Sequence, residues 1–222
     1  MRRTSTHPDQ QLQKNSMATI DYILIGGGDQ GRVTAEAILQ SGHRVVKVFD
    51  SRPCEPVPGV ISSGDYDPNQ DLSGQLIISI GQNAIRKSYA AKLAHRVGTI
   101  FHPSSIVSTL SEFGEGTVVL HGAIIQLNAI IGRHVIINTR ASIDHDARIG
   151  DYVHIAPGAV LCGRVSVGEG TLIGAGAVVL PGISIGKWAV IAAGSVVTTP
   201  VGDGAIVRGN PARIIKEESL SK

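Results

Sequence analysis

From Val107 to Val197 every sixth residue is aliphatic or aromatic, with no break in register: Val107, Phe113, Val119, Ile125, Ile131, Ile137, Ile143, Ile149, Ile155, Leu161, Val167, Ile173, Val179, Ile185, Ile191 and Val197. Four residues after many of these comes a small or β-branched side chain, as at Ala141, Ala147, Ala159, Thr171, Ala177, Ala189 and Ser195. A helix repeats its apolar positions about every 3.6 residues and a half-buried strand every two, so a strict period of six fits neither a long helix nor a hairpin meander. It fits very short strands joined by tight corners, each driving one side chain inward at a fixed phase: the hexapeptide repeat of a parallel β-helix. Three such strands close a triangular coil, and successive coils stack at about 4.8 Å, so the repeat predicts roughly five coils and a prism on the order of 25 Å long. Aromatic residues make up only 4% of the chain, as the narrow interior of such a prism requires.

The pattern changes near residue 100, and 222 residues suffice for two modest domains. Ile20 to Ile25 is a buried-strand run followed at once by Gly26-Gly27-Gly28-Asp29-Gln30-Gly31. Arg32 to Gln40 has helical composition and stops at Ser41-Gly42; Val45 to Phe49 is a second strand, ending in Asp50. Strand, glycine turn, helix and strand make half of a nucleotide-binding design. Glycines let backbone approach phosphate, the helix start offers unpaired amides, and an acid closing the second strand commonly holds a ribose hydroxyl. The glycines read equally well as a tight turn and nothing more. A third strand, Leu76 to Ile80, leads through Gly81-Gln82-Asn83 into a helix expected from about Ala84 to Arg96. This region is too short for a two-halved dinucleotide fold, which argues against hydride transfer and for a nucleotide-linked substrate. Residues 52–74, rich in Pro, Gly, Ser and Asp, read as a surface loop placed to cover a ligand.

A net charge of +2 implies neither a nucleic-acid nor a membrane partner, and no apolar run approaches the length of a membrane span. The first sixteen residues are polar and lack a signal-peptide core, so 1–17 is expected to be a flexible extension. The domain reading is then 18–102 for the nucleotide-binding part and 103–222 for the prism with its carboxy-terminal tail. Cys54 and Cys162 fall in different domains without metal or redox spacing, which suits free thiols in a cytoplasmic protein.

Chemistry concentrates at Ser142-Ile143-Asp144-His145-Asp146, where a histidine stands two residues after an inward isoleucine, at an outward corner. A neighbouring carboxylate stabilises the imidazolium and strengthens the ring as a proton acceptor, so His145 with Asp146 reads as a general base. His154 follows nine residues on, half a coil further in phase. Zinc is the competing use of such residues. His121, His134, His145 and His154 show neither helical pairing nor repetition at the coil period, so no metal is expected.

With the glycine turn, Ile80-Gly81-Gln82-Asn83-Ala84-Ile85-Arg86, Asn138 to Asp146, and Gly209-Asn210-Pro211-Ala212 all in order, the chain resembles one family over Ile20 to about Lys216. It is similar to the nucleotide-sugar N-acetyltransferases of the sialic-acid and bacillosamine pathways, within the hexapeptide acyltransferases. That resemblance implies a small Rossmann-like α/β domain followed by a left-handed parallel β-helix, an exception to the usual crossover hand. It implies a homotrimer with active sites between neighbouring prisms, acetyl-CoA as co-substrate, a nucleotide-linked amino sugar as acceptor and a role in polysaccharide biosynthesis. Residue by residue it makes His145 the base and Asp146 its acidic neighbour, which is Glu or Asp in the family. His154 matches a contact to the thioester region, the Gly163 amide an oxyanion donor, and Ala175 and Ala193 backbone lining acetyl-CoA. Gly28, Asp29, Gln30, Asp50, Ser51, Gly81 and Gln82 match the loops that hold the nucleotide. The turn has Asp29-Gln30 where relatives usually carry Gly-His, and Ser51 where some carry a second acid.

The expected reaction is direct attack of the 4-amino group of a 4-amino-4,6-dideoxy sugar, favoured as its UDP form, on acetyl-CoA. Two other readings stay open: O-acetylation of a sialic-acid-type sugar, and a catalytically silent sugar-nucleotide scaffold. Lys187 and Trp188 share an outward corner, where packing between subunits is favoured over contact with CoA.

Overall fold

The computed structural model describes residues 18–217; the extension expected for 1–17 and the last five residues lie outside it. Three parallel strands, β1 (Asp21–Ile25), β2 (Arg44–Phe49) and β3 (Gln75–Ile78), form a sheet in the order β2-β1-β3. Their ends are in register, Ile25 pairing with both Phe49 and Ile78, so the loops that follow all three strands open on one edge. Helix α1 (Asp29–Gln40) crosses from β1 to β2, and α2 (Asn83–Ala90) follows β3. The first helix starts three residues earlier than its composition suggests. Gly28 is its N-cap, and an aspartate in the first turn is favoured by the positive end of a helix. The second stops well short of Arg96, because Tyr66 intervenes: its hydroxyl accepts from the Ala94 amide at 3.2 Å and meets His95 Nδ1 at 2.6 Å.

Beyond residue 100 the chain winds into a left-handed parallel β-helix. Face 1 carries Ile100–Phe101, Val118–Val119, Ile136–Ile137, His154–Ile155, Leu172–Ile173 and Val190–Ile191. Face 2 runs from Ile106–Val107 to Val196–Val197, and face 3 from Glu112–Phe113 to Ser184–Ile185. The coil begins one strand before the periodic run, at Ile100, which gives about six turns instead of five. The sixth-residue aliphatics from Val119 to Val197 and the small residues between them, Ala123 to Ala189, form one buried cluster, while Val107 and Phe113 pack against it half-buried. Corners demand left-handed backbone: Asn128, His134, Arg140, Asp146, Tyr152, Arg164 and Trp188 all have φ between 53° and 60°. The column is closed by an antiparallel pair, Ala205–Gly209 with Ala212–Glu217. Among the described residues no helix is long and apolar enough to cross a membrane.

Helix α2 fastens the two parts together. Arg86 is fully buried, and among the described residues no carboxylate pairs with it. Its guanidinium donates to Ile80 O at 2.8 Å, Gly81 O at 3.3 Å and Asn83 Oδ1 at 2.8 Å on its own side. Across the junction it donates to His134 O at 2.8 Å, Tyr152 O at 2.7 Å and Val153 O at 3.4 Å. The next residue, Lys87, pairs with Glu169 and lies 5.3 Å from the ring centre of Trp188 and 6.0 Å from that of Tyr152. Within this copy, then, Trp188 faces the amino-terminal domain, a use its corner position did not reveal.

Candidate active site

The corner between faces 2 and 3 brings together His145, Asp146 and Gly163. His145 Nδ1 lies 2.7 Å from Asp146 Oδ2, and Asn128 Nδ2 donates to Asp146 Oδ1 at 3.1 Å from the preceding coil. These two hydrogen bonds, His145 first, hold the Asp146 carboxyl below the usual carboxylate range, with Arg164 adding a further pull. An ionised carboxylate only accepts, so the His145 proton sits on Nδ1 and the lone pair on Nε2. Nε2 has no hydrogen-bond partner among the described residues, and the side chain is 40% exposed. This is the arrangement a general base needs: an oriented ring with one basic nitrogen open to a reactant.

Gly163 stands one coil later, beneath that ring. A Cβ built on Gly163 would fall 2.5 Å from His145 Nε2 and 2.7 Å from Cε1, so the imidazole occupies the space a side chain would need. The Gly163 carbonyl accepts from Gly182 N at 2.9 Å, while its amide donates to nothing among the described residues. A free backbone N–H beside a free basic nitrogen is the pairing that binds an oxyanion and removes a proton in one step.

His154 lies elsewhere, projecting from face 1, which is opposite the His145 corner. Its Nδ1 faces Gly81 O at 3.3 Å and its Nε2 faces Asn138 Nδ2 at 3.1 Å. Asn138 Oδ1 accepts from Thr139 N at 2.8 Å, which fixes the amide's orientation; His154 therefore donates from Nδ1 and accepts at Nε2. Burial, with the Arg86 charge beside it, pushes His154 down to about 4, so it is neutral at physiological pH. Ala175 and Ala193 are exposed at a third place, the corner between faces 1 and 2, stacked through Gly194 N to Ala175 O at 2.8 Å.

The nucleotide-loop residues do converge. Gly28, Asp29 and Gln30 open α1, Asp50 and Ser51 follow β2, and Gly81 and Gln82 precede α2, all on the carboxyl edge of the sheet. The left-handed φ of 101° at Gly26 makes the turn, and Gly31 packs directly against the Gly26 carbonyl. A hollow of about 380 Å³ lined by Asp29, Arg32, Val33, Glu36 and Pro56 lies beside it. Asp50 also has a structural task on this edge. Its Oδ2 accepts from Gly27 N and its Oδ1 from Arg52 N, both at 2.9 Å, tying two loops together. Asn128 was not found from the sequence, although its place one coil period before Asp146 was the available signal. Among the described residues no group of three or more His, Cys, Asp or Glu is arranged to hold a metal ion.

Comparison with known proteins bears on this arrangement. The PglD N-terminal domain family matches residues 21–93, and the bacterial transferase hexapeptide family (six repeats) matches 128–163 and 164–199. A GDP-perosamine N-acetyltransferase from Caulobacter crescentus, solved with CoA and GDP-perosamine, is 36% identical over 88% of this chain and 97% of its own, with a TM-score of 0.84. The acetyltransferase domain of PglB from Neisseria gonorrhoeae, solved with acetyl coenzyme A, is 32% identical over 89% of this chain and 100% of its own, with a TM-score of 0.81. WeeI from Acinetobacter baumannii shares the fold at 24% identity, covering 89% of this chain and 100% of its own, with a TM-score of 0.79. A comparison with curated proteins returned no match.

Proposed function

The chain belongs to the PglD-like family of sugar N-acetyltransferases and is an acyltransferase, and from that premise we propose that it moves the acetyl group of acetyl-CoA onto the 4-amino group of a nucleotide-linked 4-amino-4,6-dideoxy sugar. The single observation that carries the mechanism is the His145–Asp146 pair, with Nε2 open against Gly163, whose amide has no acceptor among the described residues. The sugar amine attacks the thioester carbonyl carbon, and His145 Nε2 takes a proton from the amine nitrogen. Asp146 balances the charge that appears on the ring. The Gly163 N–H receives the developing oxyanion, a contact worth about 3 kcal/mol in comparable sites. Collapse of the adduct breaks the C–S bond and releases CoA as its thiol, the proton returning from His145. Binding both reactants in one cleft supplies much of the remaining acceleration.

The acceptor would lie on the loops of Gly28 to Gln30, Asp50-Ser51 and Gly81-Gln82, with acetyl-CoA along His154, Ala175 and Ala193. In one prism those acetyl-CoA residues stand on a face and a corner away from His145, so a common cleft takes two copies. Outward apolar side chains on faces 2 and 3 support a trimer: Ile106, Leu110, Ile124, Leu127 and Ile130 are 66, 65, 38, 46 and 37% exposed. The free thiols of Cys54 and Cys162 and the use of acetyl-CoA suit a cytoplasmic site of action. Uridine is the nucleotide the sequence resemblance favours. Guanosine is a second reading, supported by the relative solved with GDP-perosamine.

The test follows CoA thiol release with UDP- and GDP-linked amino sugars, for the parent enzyme and for His145→Ala. Loss of turnover by about two to four orders of magnitude is expected for the variant, with acetyl-CoA binding kept. Near-parent turnover would end the base assignment. An ester product would favour O-acetylation, and nucleotide binding without thiol release would favour the scaffold reading.

A further inference from the structure

The catalytic corner is continuous over three coils. Asn128, Asp146 and Arg164 occupy equivalent positions, each with left-handed backbone at φ 57°, 59° and 60°. Few residues other than glycine accept that conformation, and the next coil does place Gly182 there, with φ 71°. The side chains therefore rise from the prism as a column. In its middle the Asp146 carboxylate has one oxygen on Asn128 Nδ2 and the other on His145 Nδ1. Asp146 is 46% exposed, so these two bonds rather than packing hold its orientation. The other titratable groups at this corner are Asp144, bonded to Gln126 Nε2 at 3.1 Å, Cys162, which sees the Asp144 charge, and Arg164.

We propose that Asn128 is a positioning residue: its amide clamps Asp146 on His145, while Arg164 above moderates the negative charge that the imidazole meets. The inference rests on His145 as the general base. Without the clamp, an exposed carboxylate exchanges its partner for water. The ring then loses both its fixed tautomer and the counter-charge for the imidazolium. A neutral amide at this place stabilises the carboxylate without taking its charge away from His145. A second acid would raise the negative charge at the ring, and loss of Arg164 would do the same more weakly.

Three variants test this by pH–rate profiles for kcat and kcat/KM, with His145→Ala run beside them. Asn128→Gly keeps the corner, since glycine accepts φ 57° without strain, and removes only the amide. It is expected to lower kcat about tenfold with the KM for acetyl-CoA unchanged. Asn128→Asp sets a second carboxylate against Asp146 and is expected to move the acid limb of the kcat/KM profile about one pH unit upward, because imidazolium is then favoured. Arg164→Gln should move the limb the same way by less. A purely structural role for Asn128 would change the unfolding midpoint and leave kcat of Asn128→Gly at the parent value. If His145→Ala is inactive while Asn128→Gly keeps parent kcat, or Asn128→Asp keeps the parent limb, the positioning role is overturned. If His145→Ala itself turns over normally, the fault lies with the base assignment.

Discussion

A methyl group on Gly163 should disable the enzyme without unfolding it. The position is open to alanine as far as backbone is concerned, since φ of Gly163 is outside the left-handed region. Space is the obstacle. The new Cβ would meet His145 at 2.5 Å from Nε2, 2.7 Å from Cε1 and 3.2 Å from Cδ2. Comfortable separation is about 3.5 Å, so the ring must retreat by about 1 Å. Its tether to Asp146 is 2.7 Å long, and that displacement carries it past the range of a hydrogen bond unless Asp146 follows and abandons Asn128. A 1 Å misplacement of a catalytic group costs on the order of 100-fold in rate, or about 2.7 kcal/mol of barrier. The ring is 40% exposed and has solvent to swing into, so the change in unfolding free energy should stay near 0.5 kcal/mol. Initial rates of CoA thiol release, with urea denaturation of the same sample, measure both. A double-mutant cycle with His145→Ala separates causes: if Gly163→Ala acts by moving the ring, it adds nothing once the ring is gone. Parent kcat in Gly163→Ala, or an undiminished further loss in the His145→Ala background, would refute the reasoning.

Acid should loosen the fold in a defined window. Burial and the Arg86 charge push both His134 and His154 down to about 4, against about 6.5 in the unfolded chain. Between those values the unfolded chain binds protons the folded one does not, so stability is intact above pH 6.5 and falls as pH drops toward 4. Each imidazole contributes up to roughly 3 kcal/mol to that fall. Urea midpoints at pH 7.5, 6 and 5 should decline steeply, and His154→Gln should flatten the decline; a level profile in the parent protein contradicts the assignment. Arg86→Met strips the donor from five carbonyls and the Asn83 side chain, and should cost about 3 kcal/mol or more. Calorimetry should then show the amino-terminal domain melting ahead of the prism, and a single transition at the parent temperature would count against Arg86 as the fastening between them.

Periodicity made the prism legible because each coil is a local object. Ile137, Ile143 and Ile149 take the inside by phase alone, whatever the rest of the chain does, and His145 and Asp146 are neighbours in sequence, so their pairing needs only a tight corner. The glycine turn and the acid after β2 likewise announced a nucleotide-type loop, but whether Asp50 would meet ligand or backbone depended on where Gly27 and Arg52 came to rest. Contacts one coil apart, Asn128 to Asp146 and Gly163 under His145, lay half-visible in the spacing and became definite only once the stacking register was set. The domain junction was not legible at all. Arg86, Lys87, Trp188 and the Gly81–His154 contact join residues far apart in the chain, and no periodic rule states which corner of a three-cornered column a helix will dock against. Local hydrophobic phase chose the fold of each part; how they meet was decided by tertiary packing, through the Arg86 hydrogen bonds to carbonyls of both parts and an apolar seam in which Ile100, Val118 and Leu120 join Tyr22, Leu24 and Ile38.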